Sequence, residues 1–438
     1  MSKLKLYFEG PVDTMSGYGH HARDLVLSLI KMDKYDIKII STSWGSTPFG
    51  SLNKDNPNDT LILDRIIKNI PEKPDIFMQV TVPAAFNPIG RYNIGITAGI
   101  ETNIASGKWI EGCNRMDLVI VPSKHSKDVF EVSRYNVSDK QGNVVGQLKL
   151  DKPCEILFEG LDLDVFKKTN KIDKSISNIL DDIEEDFLYL YVGHWLNGDL
   201  GQDRKNTGML VKSFFDTFYN YDKQKPALLL KTSVGTLSIT DKHMVEDKIR
   251  NIQGMYPDKS KLPNIYLLHG ELSGSEMNSL YNHKKVNSMV NLTKGEGYGR
   301  PMLEFASIGK PVIASGWSGH LEFLNKHDHH LIPGKLEKIH SSAIWEDVLI
   351  PESSWFECDY EHAKQVMYLN YVQPNQLNLT KNAKNGMNAI RTKFSMESMQ
   401  SKFENILDRY IPELPTEVKL ELPKLKKIEL PKLKKLNG

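Results

Sequence analysis

Residues 294–304 (KGEGYGRPMLE) combine three glycines with two glutamates between two regular patterns. The apolar run at 288–292 predicts a strand, and the spacing that follows predicts a helix over 301–308, which begins with a proline. Glycines let backbone amides approach a ligand closely, and a helix N-terminus favours phosphate. Glu304 offers a carboxylate that can accept hydrogen bonds from paired hydroxyls, such as those of a ribose, and Glu296 can contact a sugar hydroxyl. The residues alone also fit an ordinary glycine-rich turn with two solvated glutamates.

Two further segments have residue types suited to a phosphorylated ligand. Residues 16–19 (SGYG) place Gly17 and Gly19 before a helical pattern, where glycine permits a close backbone turn. Arg204 and Lys205 stand side by side after the β-rich run FLYLYV, and both cations can offset phosphate charge. Taken alone, the first segment is also typical of an ordinary loop, and the second of a solvated basic loop.

Strands alternate with helices in both halves of the chain. Apolar, β-rich runs occur at 4–8, 35–41, 75–82, 92–98 and 118–122, and again at 187–192, 227–232, 265–268, 288–292 and 311–314. Amphipathic segments between these runs, such as 61–70, predict helices on both faces of a parallel sheet. Such sheets bind ligands at the carboxyl ends of their strands. We therefore expect two doubly wound α/β domains that face each other across a cleft.

Composition and charge exclude several classes of protein. The chain has 438 residues, 40% of them hydrophobic and 25% charged, as in an ordinary globular protein. A net charge of +1 gives no general reason to expect nucleic acid or an anionic membrane as partner. Cys113, Cys154 and Cys358 are too far apart for metal spacing or a disulfide framework. Since no apolar run approaches about 20 residues, and none resembles a signal peptide, we expect a cytoplasmic protein, with peripheral membrane attachment left open.

Residues 296–324 (EGYGRPMLEFASIGKPVIASGWSGHLEFL) resemble a family signature, EGFGLPxLEAxACGxPVIAS. The family comprises retaining glycosyltransferases with two Rossmann-like domains, the GT-B type, and is known as glycosyltransferase family 4 or glycosyl transferases group 1. Arg300 stands where these enzymes usually have an aliphatic or small residue. Further segments are similar to family motifs, namely residues 16–25, 117–123, 156–166, 203–206 and 394–407.

The resemblance implies a nucleotide-diphospho-sugar donor on the second domain and an acceptor on the first. It implies that a set of residues binds the donor: Gly17, Gly19, Thr232, Gly297, Tyr298, Gly299 and Glu304. It also implies catalytic roles for Arg204 and Lys205 at the diphosphate and for Glu296 at the sugar. Many relatives carry a histidine after the strand that here ends at 98. Glu101 follows that strand instead, and either faces the reacting centre or acts as a structural carboxylate.

The resemblance also implies the course of the reaction. The Glu-x7-Glu spacing implies retention of configuration, through a same-face substitution assisted by the leaving phosphate and without a protein nucleophile. No group of residues has metal spacing, so we expect neither a metal nor another cofactor. The absent histidine keeps a non-catalytic sugar-nucleotide-binding protein as an alternative. The acceptor is open between a glycan, a lipid-linked sugar, a protein and a modified DNA base, the last disfavoured by the near-neutral charge.

The same patterns predict the domain boundaries. We expect a first domain over 1–170, a second over 171–393, and a helix over 394–411 that, by the resemblance, crosses back onto the first domain. Residues 412–438 form a basic tail in which LELPKLKK is followed by IELPKLKK. Because proline interrupts a helix, we expect an extended segment. A solvated linker and a docking segment for a partner or an acidic surface both fit this composition.

Overall fold

The computed structural model describes residues 3–414, so the part of the predicted tail from 415 to 438 lies outside the described residues. Eight strands occur before residue 157: β1 (Leu4–Gly10), β2 (Tyr35–Ser41), β3 (Ile76–Val80), β4 (Tyr92–Ile96), β5 (Leu118–Val121), β6 (Tyr135–Ser138), β7 (Val144–Leu148) and β8 (Cys154–Ile156). Six of them form a parallel sheet in the order β2-β1-β3-β4-β5-β8, and β6 and β7 pair as an antiparallel hairpin. Five helices accompany these strands: α1 (Gly17–Met32), α2 (Pro57–Leu63), α3 (Gly107–Arg115), α4 (Lys124–Val132) and α5 (Lys174–Asp181).

A second parallel sheet is built from the later strands. The strands are β9 (Leu188–Val192), β10 (Ala227–Lys231), β11 (Ile265–Leu267), β12 (Val286–Asn291), β13 (Val312–Ser315), β14 (His330–Ile332), β15 (Gly334–Lys338) and β16 (Ser354–Cys358). Its order is β11-β10-β9-β12-β13-β14, while β15 and β16 pair as a separate antiparallel hairpin. The helices are α6 (Thr207–Phe218), α7 (Ile239–Gln253), α8 (Gly274–Asn282), α9 (Arg300–Ala306), α10 (Tyr360–Val372), α11 (Pro374–Leu377), α12 (Leu379–Lys393) and α13 (Met396–Tyr410).

The strands form because their apolar runs are buried on both faces. All five residues of β3 and all four of β5 are buried, as expected when helices cover a parallel sheet. The expectation of two doubly wound α/β sheets is confirmed. One local expectation is wrong: the helix predicted over 61–70 is α2, which begins at Pro57 and ends at Leu63. Ile66 instead bridges to Ile39 of β2, so pairing at the sheet edge ends the helix.

The strand order determines where each sheet can bind a ligand. In the first sheet, successive strands are added on one side of β1 and then on the other, so the strand order reverses between β1 and β3. In the second sheet the strand order reverses between β9 and β12. Loops diverge at such a switch point and leave a crevice at the carboxyl ends of the strands. The two carboxyl edges are in contact here, because the Ser123 hydroxyl donates to the Gly297 carbonyl at 2.8 Å.

Helix α13 returns to the first sheet. Lys34, just before β2, forms ion pairs with Glu404 and Asp408, both at 2.8 Å. Tyr410 donates its hydroxyl proton to Glu155 of β8 at 2.6 Å. The domain boundaries at 170, 393 and 411 stay predictions. Within residues 3–414, no helix has both the length and the apolar character needed to cross a membrane.

We expect Gly112→Ala to destabilise the protein by about 1–3 kcal/mol, because an added methyl group overpacks the contact beneath α3. A Cβ atom on Gly112 would lie 1.8 Å from the carbonyl oxygen of Pro83. Denaturant unfolding measures this loss. Gly146→Ala in β7 is the control, since no atom lies within 4 Å of a Cβ placed there. Equal unfolding midpoints for the two variants would contradict the packing described.

Candidate active site

The candidate site lies at the switch point of the second sheet. The loop after β9 ends with Arg204 and Lys205, and the loop after β12 contains Glu296. The Lys294 amide donates to the Arg204 carbonyl at 2.8 Å, which joins the two loops. A strand followed at once by a loop places its next residues at the carboxyl edge of the sheet. The two segments chosen from sequence are therefore neighbours in space.

Four residues expected to be catalytic form one ionic group, called here the Arg204 cluster: Arg204, Lys205, Glu296 and Glu101. The Lys205 ammonium lies 2.6 and 2.7 Å from the two Glu296 carboxylate oxygens. The Arg204 guanidinium lies 3.6 Å from Glu296 and 3.4 Å from Glu101. Glu101 belongs to the first sheet, so the cluster spans the gap between the two sheets.

The Arg204 cluster is buried and balanced in formal charge. The exposed fraction of its side chains ranges from 7% at Glu296 to 24% at Glu101. Burial disfavours the carboxylate of Glu296, but Lys205 and Arg204 outweigh this effect and lower its pKa. Burial lowers the pKa of Lys205, and Glu296 offsets only part of that change. Two cations in a water-poor site can stabilise a diphosphate that replaces the carboxylates as their partner.

Residues 316–320 (GWSGH), after β13, hold Glu296 in place. The Glu296 amide donates to the Ser318 hydroxyl at 2.9 Å, and the Gly319 amide donates to the Glu296 carbonyl at 2.9 Å. The His320 ring nitrogen Nε2 lies 2.7 Å from the Ser315 carbonyl. The sequence analysis did not select Ser318 or His320, although both lie within the segment that resembles the family signature.

His194 is a further residue that the sequence analysis did not select. It follows β9 directly, at the switch point, and its Nδ1 lies 3.1 Å from the Ser233 hydroxyl. Burial lowers its pKa, and the nearby Lys205 charge lowers it further. The imidazole is therefore held neutral beside the Arg204 cluster. Thr232 is buried after the neighbouring strand β10, with its hydroxyl 3.5 Å from the Ser233 carbonyl.

The predicted donor-binding glycines differ in what surrounds them. A Cβ on Gly19 would lie 2.1 Å from the Thr14 carbonyl, so α1 packs too closely on the preceding loop for a side chain. Gly17 is exposed, and no atom lies within 4 Å of a Cβ placed there. A Cβ on Gly297 would lie 2.0 Å from the Ala98 carbonyl of the first sheet. Close approach of the two sheets thus requires glycine at position 297.

Gly299 and Tyr298 contribute to the backbone turn before α9 and to the core. Gly299 precedes α9 with a φ of 98°, a conformation that favours glycine. Tyr298 is only 2% exposed, and its hydroxyl donates to the Glu159 carbonyl at 3.1 Å. Its ring packs against Phe323. Tyr298 therefore lies in the core.

Glu304 belongs to a second buried group, called here the Arg300 cluster: Arg300, Asp24, Glu159 and Glu304. Arg300 contacts the carboxylates of Asp24 at 2.5 Å, Glu304 at 3.3 Å and Glu159 at 3.9 Å. Asp24 lies on α1, so this cluster also joins the two sheets. Tyr281 donates its hydroxyl proton to the other oxygen of Glu304 at 2.9 Å. The arginine that departs from the family signature thus has a specific partner on α1.

The Arg300 cluster holds three carboxyl groups and one guanidinium. Burial raises the pKa of Glu159 to about 7, against the opposing effect of Arg300 and with the help of Asp24 and Glu304. Burial also raises the pKa of Asp24 and of Glu304 despite the Arg300 charge. This cluster, unlike the Arg204 cluster, has more negative groups than its single cation balances.

No protein-family model and no curated protein sequence matches the chain, but solved structures do. HepE from Anabaena, in complex with UDP-glucose, aligns with a TM-score of 0.58 at 13% identity, over 93% of this chain and 100% of that chain. Sucrose-phosphate synthase from Thermosynechococcus elongatus aligns with a TM-score of 0.58 at 12% identity, over 93% and 99%. Alpha,alpha-trehalose 6-phosphate synthase from Burkholderia multivorans aligns with a TM-score of 0.56 at 9% identity, over 93% and 99%.

The chain has the GT-B fold. The similarity extends across both sheets and so includes the switch points that carry the candidate site. Among residues 3–414, no group of three or more His, Cys, Asp or Glu side chains is arranged to hold a metal ion.

We expect Glu159→Gln to remove a pH dependence of stability. The folded-state pKa, about 7, lies above the ordinary value of 4.5, so the folded protein binds this proton more tightly than the unfolded chain. Wild-type stability should therefore fall as pH rises from about 4.5 to 7. The neutral variant should be more stable than wild type by about 1–3 kcal/mol at pH 8, and nearly equal to it at pH 4.5.

Denaturant unfolding at both pH values measures this difference. Glu184→Gln, at an exposed position, is the control and should leave the pH profile unchanged. A Glu159→Gln variant that keeps the wild-type profile would show that Glu159 does not titrate in this window.

Proposed function

We propose that the protein is a glycosyltransferase that moves a sugar from a nucleotide-diphospho-sugar to an acceptor hydroxyl with retention of configuration. The main observation in support is the buried Arg204 cluster at the switch point of the second sheet. It combines two cations suited to a diphosphate with two carboxylates suited to sugar hydroxyls. The GT-B fold is consistent with this function, although a fold alone does not define it.

Donor binding on this proposal is an exchange of ionic partners. Lys205 and Arg204 are paired with Glu296 and Glu101. A diphosphate would take over the two cations, and the released Glu296 would accept hydrogen bonds from the sugar. Because the charges already balance, the incoming anion must compete with good partners. This competition favours a ligand that supplies diphosphate and sugar hydroxyls together.

The bond changes on this proposal take place on one face of the sugar. The bond between the anomeric carbon and the diphosphate oxygen breaks, while the acceptor hydroxyl oxygen bonds to the same carbon from the same side. The acceptor proton passes to the leaving diphosphate. Arg204 and Lys205 stabilise the negative charge that develops on that leaving group. No protein nucleophile, cofactor or metal has a step in this scheme.

We propose a UDP-hexose as the donor, since HepE, which shares the fold, forms a complex with UDP-glucose. Glu304 is the proposed partner of the ribose hydroxyls. Because Arg300 and Tyr281 contact its carboxylate, the ribose must replace or join them. We also propose that the protein acts in the cytoplasm, in keeping with three free, buried cysteines at 113, 154 and 358.

We expect Lys205→Met to lower the turnover of UDP-glucose by about 100-fold or more, because the leaving diphosphate loses a buried cation. Turnover is measured as UDP release. Without a known acceptor, the slow hydrolysis of UDP-glucose is the reaction that is followed. Lys223→Met, at an exposed position, is the control and should retain wild-type turnover.

Calorimetry with UDP-, GDP- and ADP-sugars separates the other outcomes. If none of these donors binds the wild-type protein, the proposed function is wrong. Donor binding without hydrolysis or transfer to any acceptor would favour the non-catalytic sugar-nucleotide-binding protein. Wild-type turnover in Lys205→Met would exclude the assigned role of that residue while leaving the reaction itself in place.

A further inference from the structure

The loop formed by residues 42–52, called here the 42–52 loop, follows β2 at the carboxyl edge of the first sheet. It folds back on the segment that leads into α1. The Leu52 amide donates to the Asp13 carboxylate at 2.8 Å, and the Gly50 amide donates to the Asp13 carbonyl at 3.0 Å. Phe49 forms an isolated antiparallel bridge with Thr14. The loop is therefore anchored beside the first crevice.

The 42–52 loop presents aromatic rings to solvent from a supported position. The Trp44 ring stacks on Tyr18 with centroids 3.8 Å apart and planes at 22°. Tyr18 is held in turn by a hydrogen bond between its hydroxyl and that of Thr97, at 2.9 Å. Trp44 is only half-buried, and Phe49 is 56% exposed. A partly exposed ring supported beside a crevice is typical of a binding site rather than of a core.

Tyr18 and Trp44, which stack on each other, lie close to the Arg204 cluster. Thr97, which fixes Tyr18, directly follows β4, and Glu101 comes four residues later on the same edge loop. The Glu101 charge is near enough to raise the pKa of Tyr18 further, beyond the effect of burial. Ser46 reaches the second sheet, since a Cβ on Gly235 would lie 3.7 Å from its hydroxyl. The loop therefore flanks the line along which the two sheets meet.

The chemistry of the 42–52 loop favours an uncharged carbohydrate. Its sequence, TSWGSTPFGSL, has no acidic or basic residue, and five of its eleven residues carry a hydroxyl group. A nucleic-acid acceptor needs lysine or arginine to neutralise its phosphates, and the loop offers none. The electron-rich face of an indole attracts the polarised C–H groups of a sugar ring, while neighbouring hydroxyls bond to the ring's own hydroxyls.

We propose that Trp44, supported from behind by Tyr18, binds the terminal sugar ring of a neutral glycan acceptor. This inference rests on the proposed glycosyltransferase function and identifies the substrate class on the acceptor side. The donor diphosphate occupies the second sheet, and the glycan lies on the first, with its reacting hydroxyl toward Glu101. Trp44 acts by binding alone and has no part in the bond changes.

The test measures binding of the full chain to an array of neutral gluco-, manno- and galacto-oligosaccharides and to a single-stranded DNA 20-mer, with UDP present. We expect the wild-type protein to bind a neutral oligosaccharide and Trp44→Ala to bind it about 10-fold more weakly. Trp44→Phe keeps a flat ring and should fall between the two. Trp345→Ala is the control, because Trp345 is 65% exposed and lies on the connection between β15 and β16.

The affinity for UDP-glucose separates this inference from the proposed function. Equal calorimetric affinity in the wild-type protein, Trp44→Ala and Trp44→Phe would show that the donor site is intact and support a separate acceptor site. Unchanged oligosaccharide binding in Trp44→Ala, or binding of the DNA alone, or binding of no oligosaccharide, would overturn the inference. Failure of the wild-type protein to bind any sugar nucleotide, with Trp44-dependent glycan binding retained, would overturn the proposed function instead.

Discussion

The ion pairs of Arg204 depend on both sheets at once. Its guanidinium contacts Glu296 of the second sheet and Glu101 of the first, and Lys205 completes the balance of charge. Taking an ion out of water costs several kcal/mol unless partners replace the water. The four groups therefore replace water for one another where the two edges approach. The glycines at 295 and 297 provide the room, since a Cβ at either position would lie 2.0 Å from a carbonyl oxygen of the opposite sheet.

The Arg300 cluster holds the same two sheets together with less complete compensation. One guanidinium pairs with Asp24, Glu159 and Glu304. Burial raises the pKa of Glu159, and the Arg300 charge opposes only part of that effect while Asp24 and Glu304 add to it. Formal charge is thus balanced in the Arg204 cluster, whereas the Arg300 cluster has more carboxyl groups than cations. A ligand that supplies a hydrogen-bond donor to Glu304, as a ribose does, would relieve part of this imbalance.

The two sides of the proposed reaction differ in their chemistry. The donor side is ionic and buried, which suits a diphosphate whose charge grows as the bond breaks. The acceptor side at the 42–52 loop is aromatic, rich in hydroxyls and uncharged. Because the 42–52 loop carries no charge, it does not draw a second anion toward Arg204 and Lys205. Specificity for a neutral sugar then follows from what the loop lacks as well as from the rings it presents.

The two parallel sheets could be predicted from local patterns, because their strands are continuous apolar runs separated by helical patterns. The family resemblance implied the roles of Arg204, Lys205 and Glu296, which stay predictions, and the structure shows that the three side chains lie together. The residues that the loops carrying them contact are known only from the tertiary structure. Arg300 pairs with Asp24, 276 positions away, and Tyr298 turns into the core although its neighbours line the gap. Contacts between distant segments depend on how the two sheets pack against each other, and local residue patterns do not specify that packing.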